Sequence, residues 1–178
     1  MTFTVGNKVV YPCRGPCLIG PVVNKVVGGR STKFYQLALL DDSNGEVFVP
    51  VDNLRDLNIR ALVDRSDIPK LLGRLKKPSA LSKDLAAAKN WRQRNTDNLK
   101  LFSSGSAFDL ADVVEALTGL SETKPLSVHE RETLGRARKL LACEISEVMG
   151  ESKSAAQAQI DSALESRNNG KHHSPQVN

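Results

Sequence analysis

The spacing of hydrophobic positions changes near residue 60. Before it, β-branched and aromatic residues come in short runs broken by Gly, Pro, Asn and Asp. Phe3-Thr4-Val5 leads to Gly6-Asn7, and Lys8-Val9-Val10-Tyr11 stops at Pro12. Residues 17–20 and 22–27 form two further runs, the second ending at Gly28-Gly29, a turn pair. Residues 33–40 close on the polar cluster 41–45, and residues 46–51 follow. Such runs predict a small antiparallel sheet. Roughly 60 residues is little for an open sheet, and bending or closing it would hide its edges.

After Leu62-Val63 the period lengthens to about 3.6, the helical value. Residues 68–75 predict a short first helix with Pro69 in its opening turn, ended by Pro78. Residues 81–102 predict a second helix, capped by Ser82 and stopped at Ser103-Ser104-Gly105. A third runs from Ser106 to Leu120. Ser127 and Glu130 form a capping box for a fourth, with Leu134, Ala137, Leu141, Ile145 and Val148 on one face. A weaker cap at Ser154 opens a last helix to about Ser166, and the polar tail from Arg167 reads as disordered.

The fold class predicted is therefore α+β: an N-terminal small Tudor-like β-barrel followed by an all-α helical bundle. Expected units are a β-domain at 1–62, a helical domain at 63–166 and a tail at 167–178.

Charge adds a second asymmetry. The chain carries a net +5, but Lys70 to Arg94 alone holds +7, so the remainder is slightly acidic. Positive potential gathered in one region points to a polyanion, although a solvated basic helix face has the same composition. No apolar run reaches the roughly 20 residues of a membrane helix, and no secretory leader is evident. A cytoplasmic protein is expected. Three cysteines, Cys13, Cys17 and Cys143, do not make a disulfide framework.

Catalytic chemistry is not visible. Cys13 and Cys17 lack the second pair that a structural zinc site commonly needs, so neither metal nor cofactor is expected. Asp41 and Asp42 precede Ser43-Asn44-Gly45 and read as turn residues. His129 lies in a first helical turn, and His172-His173 lie in the tail. No nucleophile, acid and base come together, and a non-enzymatic protein is expected.

One feature of the basic block stands apart. The chain's single tryptophan, Trp91, lies in Lys89-Asn90-Trp91-Arg92-Gln93-Arg94. On one helix Lys89, Trp91 and Arg92 would fall within about a turn, joining an indole to cations. Cations neutralise phosphates, and a flat ring can wedge against opened base steps of a bent or melting duplex. A lone helical tryptophan is also a common core anchor, so a protein–protein adapter with a buried Trp91 stays open as the alternative.

At these residues the chain also resembles the CarD/CdnL family of bacterial transcription regulators. The opening F-x-V-G-N-x-V-V-Y-P-x-x-G from Phe3 to Gly15 resembles the family's start, with Asn7 where Asp is usual. The stretch from Asn90 to Leu101, then Ser104-Gly105, resembles the C-domain signature, as does Leu126-Ser127-x-x-Glu130-Arg131. The match is collinear over about residues 1–150.

The resemblance implies a Tudor-like domain, shared with transcription-repair coupling factors, that binds the RNA polymerase β subunit. It also implies a helical domain that contacts promoter DNA in the minor groove at the upstream edge of the transcription bubble. Largely sequence-independent binding there would lengthen the life of the open complex. By position Trp91 would be the wedge and Arg92 and Arg94 backbone contacts, with Lys89 and Lys83 in the same block. Gln93 and Thr96 are neutral where relatives carry further basic residues. For polymerase, Lys25 fits a contact position, Phe48 stands where an arginine is often found, and Glu46, Val47, Phe48, Val49 and Pro50 form a strand able to pair edge to edge. A monomer, nucleoid-associated through polymerase and without membrane contact, is implied.

Overall fold

Alternation in the first half produces a sheet with one buried face. The computed structural model describes residues 4–53, 57–78, 80–87 and 90–169. Its strands are β1 (Lys8–Tyr11), β2 (Gly15–Val27), β3 (Arg30–Leu39), β4 (Glu46–Pro50) and β5 (Arg60–Ala61), all paired antiparallel in the order β4-β3-β2-β1-β5. Register sets Val9 opposite Cys17, Ile19 opposite Leu37 and Tyr35 opposite Val49. Val9, Cys17, Ile19, Leu37, Val49 and Ile59 thereby form the core of the sheet.

The two runs expected at 17–20 and 22–27 are one strand. The ladder shifts register between Ile19 and Val22, a bulge that bends β2 rather than ending it. Gly20 permits the bend, since a Cβ there would meet the Gln36 carbonyl oxygen at 2.9 Å. Gly28 and Gly29, both at positive φ, turn the chain into β3.

The expected barrel is not closed. Among the described residues β4 and β5 are opposite edges that do not pair. β5 is only two residues long, and its Arg60 side chain is engaged with helices instead. Phe3 lies outside the described residues.

Among the described residues six α-helices follow: α1 (Ile68–Lys76), α2 (Ala80–Ala87), α3 (Trp91–Ser103), α4 (Ala107–Ser121), α5 (Val128–Met149) and α6 (Lys153–Asn169). Leu71, Leu75, Val113, Val114, Leu117, Leu141, Ile145 and Ile160 fill their common core. Ser106 caps α4 by accepting from the Asp109 amide at 3.3 Å, and both halves of the Ser127–Glu130 capping box form. Gly150 ends α5 in the left-handed conformation.

Two helical expectations are corrected. The single helix predicted over 81–102 is interrupted. Asn90 adopts extended backbone (φ −96°, ψ 118°), and its side chain accepts from the Arg92 amide, so a new helix starts at Trp91. At the other end α6 continues beyond Ser166 to Asn169. Arg167, expected to begin a disordered tail, is buried and ion-paired to Glu115 at 3.1 Å and to Glu122 at 3.3 Å. Residues 170–178, with His172 and His173, lie outside the described residues.

Candidate functional site

Two regions of this framework carry the expected contact residues. The first is the edge strand β4. Its inner side pairs with β3 from Ala38↔Glu46 to Phe34↔Pro50, which leaves its other side at the margin of the sheet. Alternation decides what each residue can offer a partner. Val49 is 1% exposed and points into the core, so only its main chain is available. Val47, Phe48 and Pro50 are half-buried, and Glu46 is exposed and accepts from Gln36 at 2.7 Å. Lys25, exposed on β2, places its Nζ 3.0 Å from the centroid of the Phe48 ring. The Phe48 ring of β4 thus holds a cation that reaches it from β2, across the intervening β3.

The second region is the start of α3. The Asn90 cap places Trp91 and Arg92 in a first turn with no acidic residue. Unsatisfied amides and the helix dipole make such an end attractive to anions, and the exposed Arg92 adds a formal charge. Lys83 is exposed on α2. Lys89 and the side chain of Trp91 lie outside the described part of the structure. The expected sharing of one helical turn by Lys89, Trp91 and Arg92 falls outside the described residues as far as Lys89 is concerned; Trp91 and Arg92 open α3 together.

Arg94 departs from expectation. It is 5% exposed, and its Nε and Nη2 both donate to Glu130 Oε1 at 3.2 Å. The other Glu130 oxygen accepts from the Ser127 amide at 2.9 Å. Burial alone would push the Glu130 carboxyl up, but the Ser127 amide and hydroxyl and Arg94 outweigh it and hold the pKa below its ordinary value. Arg94 is therefore a packing element that fixes α3 on α5, not a surface cation.

The rest of the basic block is thinned in the same way. Lys70 pairs with Asp67 at 2.8 Å, and Arg74 with the buried Asp112 at 2.6 Å. With Glu130, three acids from outside the block come to rest on it among the described residues, offsetting part of its positive excess. Gln93 donates to Asp97 at 2.9 Å, and Thr96 bonds back to the Arg92 carbonyl at 3.0 Å.

Sequence reasoning missed the residues that join the two regions. Arg60 on β5 donates to the Gly105 carbonyl at 2.6 Å and clasps Glu144 of α5 with both terminal nitrogens, at 2.6 and 2.9 Å. The Val63 amide donates to the same carboxylate at 3.0 Å, and Glu144 is 1% exposed. Lys8–Glu147 at 2.7 Å and Lys153–Asp42 at 2.6 Å add outer ties. Asp41 keeps its turn role, accepting from the Ser43 amide at 2.9 Å.

Among the described residues no group of three or more His, Cys, Asp or Glu side chains could hold a metal ion, and no helix is long and apolar enough to cross a membrane.

A sheet with an available edge, clasped to a helical bundle with an electropositive helix start, presents two candidate contact surfaces. Residues 3–63 match the CarD-like/TRCF RID domain, and residues 78–161 match the CarD C-terminal domain. The chain belongs to the CarD/CdnL family. It is an RNA polymerase-interacting transcription regulator, and the RID-domain family implies interaction with the polymerase β subunit. CarD family domains are non-enzymatic regulatory and interaction domains.

Proposed function

We propose that the protein bridges the polymerase β subunit and promoter DNA at the upstream edge of the transcription bubble, stabilising the open complex without catalysis. In this reading residues 1–62 dock on polymerase and residues 63–166 meet DNA. The observation that carries it is the position of Trp91 and Arg92 in the capped, acid-free first turn of α3. Strand β4 pairs with a β-subunit strand through its main chain, and the Lys25–Phe48 pair sits beside that contact. Trp91 wedges at the minor groove, while Arg92, Lys83 and Lys89 face phosphates. Arg94 holds α3 in place instead of touching DNA.

Each contact is modest, and the link between them raises the effective concentration of the second once the first has formed. DNA binding by the isolated protein is weak on this account. The protein acts as a monomer in the cytoplasm, on the nucleoid through polymerase. Promoter footprinting with RNA polymerase over a salt series tests the reading. Added protein should extend protection at the upstream bubble edge, and the extension should fade with salt. An unchanged footprint with polymerase still bound would favour a pure protein–protein adapter with Trp91 buried.

A further inference from the structure

We infer that Arg60 is a positioning residue, which fixes the angle between the polymerase-docking sheet and helix α3 by clasping Glu144 and the Gly105 carbonyl. The inference rests on the bridging function proposed above.

Arg60 belongs to the last strand of the sheet, yet its guanidinium is spent wholly on the helical side or on its own strand. Nε reaches the Gly105 carbonyl, just past the C-terminal end of α3. Nη1 reaches Glu144 and the Ala61 carbonyl, and Nη2 reaches the second Glu144 oxygen. A planar fork engaged at this many points sets direction as well as distance.

Gly105 is also packed from the sheet side. A Cβ there would lie 3.1 Å from Pro12 and 3.6 Å from the Asn58 carbonyl oxygen, and its φ of +79° already favours glycine. Cys13, between β1 and β2, contacts the Phe102 carbonyl at 3.8 Å. The C-terminal end of α3 is thus seated on the sheet, while Arg94–Glu130 holds its first turns on α5. Thirteen residues of helix span about 20 Å. A small rotation at Arg60 therefore displaces Trp91 by several ångströms relative to β4.

Lysine at position 60 keeps the charge but cannot form the fork, and Gln at position 144 keeps the shape and can still accept from Val63. Arg60→Lys and Glu144→Gln are compared with the unaltered full chain in two measurements. Spin labels at the exposed Ser31 and Ser121, in a Cys13→Ser background, report the separation of sheet and bundle by pulsed electron resonance. Polymerase affinity and open-complex lifetime are then measured with RNA polymerase holoenzyme and a promoter fragment.

Both variants should broaden the distance distribution and shorten open-complex lifetime about fivefold or more, with polymerase affinity held within about twofold. Unchanged distances, or an unchanged lifetime, would overturn the inference. Parallel loss of polymerase affinity would also overturn it, by making Arg60 a docking or stability residue. If the unaltered protein keeps a narrow distance distribution but does not lengthen the complex, the bridging function itself fails, and the positioning role with it.

Discussion

Arg94 on α3 and Glu130 on α5 form a buried ion pair in which the carboxylate also serves as the helix cap. Oε1 takes both guanidinium donors at 3.2 Å, and Oε2 accepts from the Ser127 amide. A residue that looks in sequence like one more DNA-facing cation is thereby part of the bundle interior. Removing one partner of a buried pair strands the other, at a cost of about 3–5 kcal/mol. Arg94→Met should lower the melting temperature by roughly 6–20 °C, at about 2–4 °C per kcal/mol for a chain of this size. Arg92→Ala, in an exposed position, should move it by less than about 2 °C. Scanning calorimetry separates the two, and equal shifts would contradict the assignment.

The same pair predicts an acid dependence. The folded Glu130 carboxyl titrates below its ordinary value near 4.5, since the Ser127 and Arg94 bonds outweigh the upward push of burial. Its stabilisation is therefore fully present above that ordinary value and is lost as pH falls through the depressed one. The gap in melting temperature between the natural protein and Glu130→Gln should be constant above about pH 6 and shrink from about pH 5 to pH 3. A gap that persists at the acid end would mean that the carboxylate's charge is not what matters.

Thiol reactivity should be graded by burial. Burial pushes Cys17 up to about 12 and Cys143 up to about 11, and Cys13 is the half-exposed one of the three. Thiolate is the reactive form. At about pH 8, iodoacetamide should add one group to the native protein, at Cys13, and three after denaturation, as read by mass spectrometry. Rapid triple labelling of the native form would contradict the packing of β2 against α5.

Lys25 tests the proposed docking edge. Its ammonium lies on the Phe48 ring beside β4, a contact worth about 0.5–1 kcal/mol at an exposed site. Lys25→Glu should weaken polymerase binding about tenfold, equivalent to roughly 1.4 kcal/mol, with little change in melting temperature. Binding isotherms at two salt concentrations check this. An unaltered affinity would move the docking surface elsewhere on the sheet.

What could be read from sequence was what is local. Ser106 and the Ser127–Glu130 box cap helices within four residues of chain, and Gly28-Gly29 makes its turn alone. The break before Trp91 was hidden because Ala86-Ala87-Ala88-Lys89 favours helix right up to a single Asn90. Arg60–Glu144 spans 84 positions of chain, and no local pattern distinguishes either residue. Arg94 and Arg167 were misjudged for a common reason: a guanidinium in a polar stretch looks solvated until an acid from another helix meets it. The open sheet has a similar origin. A strand of two residues cannot close a barrel, and sequence did not reveal β5 at all.

The bridging account is tested most directly by the lifetime of open promoter complexes after challenge with competitor DNA, comparing the natural chain with Trp91→Ala and Lys25→Glu. The account predicts that the natural chain prolongs the complex. Trp91→Ala should abolish the gain while still binding polymerase, and Lys25→Glu should regain it at higher protein concentration. Full activity of Trp91→Ala, at equal occupancy of polymerase, would contradict it.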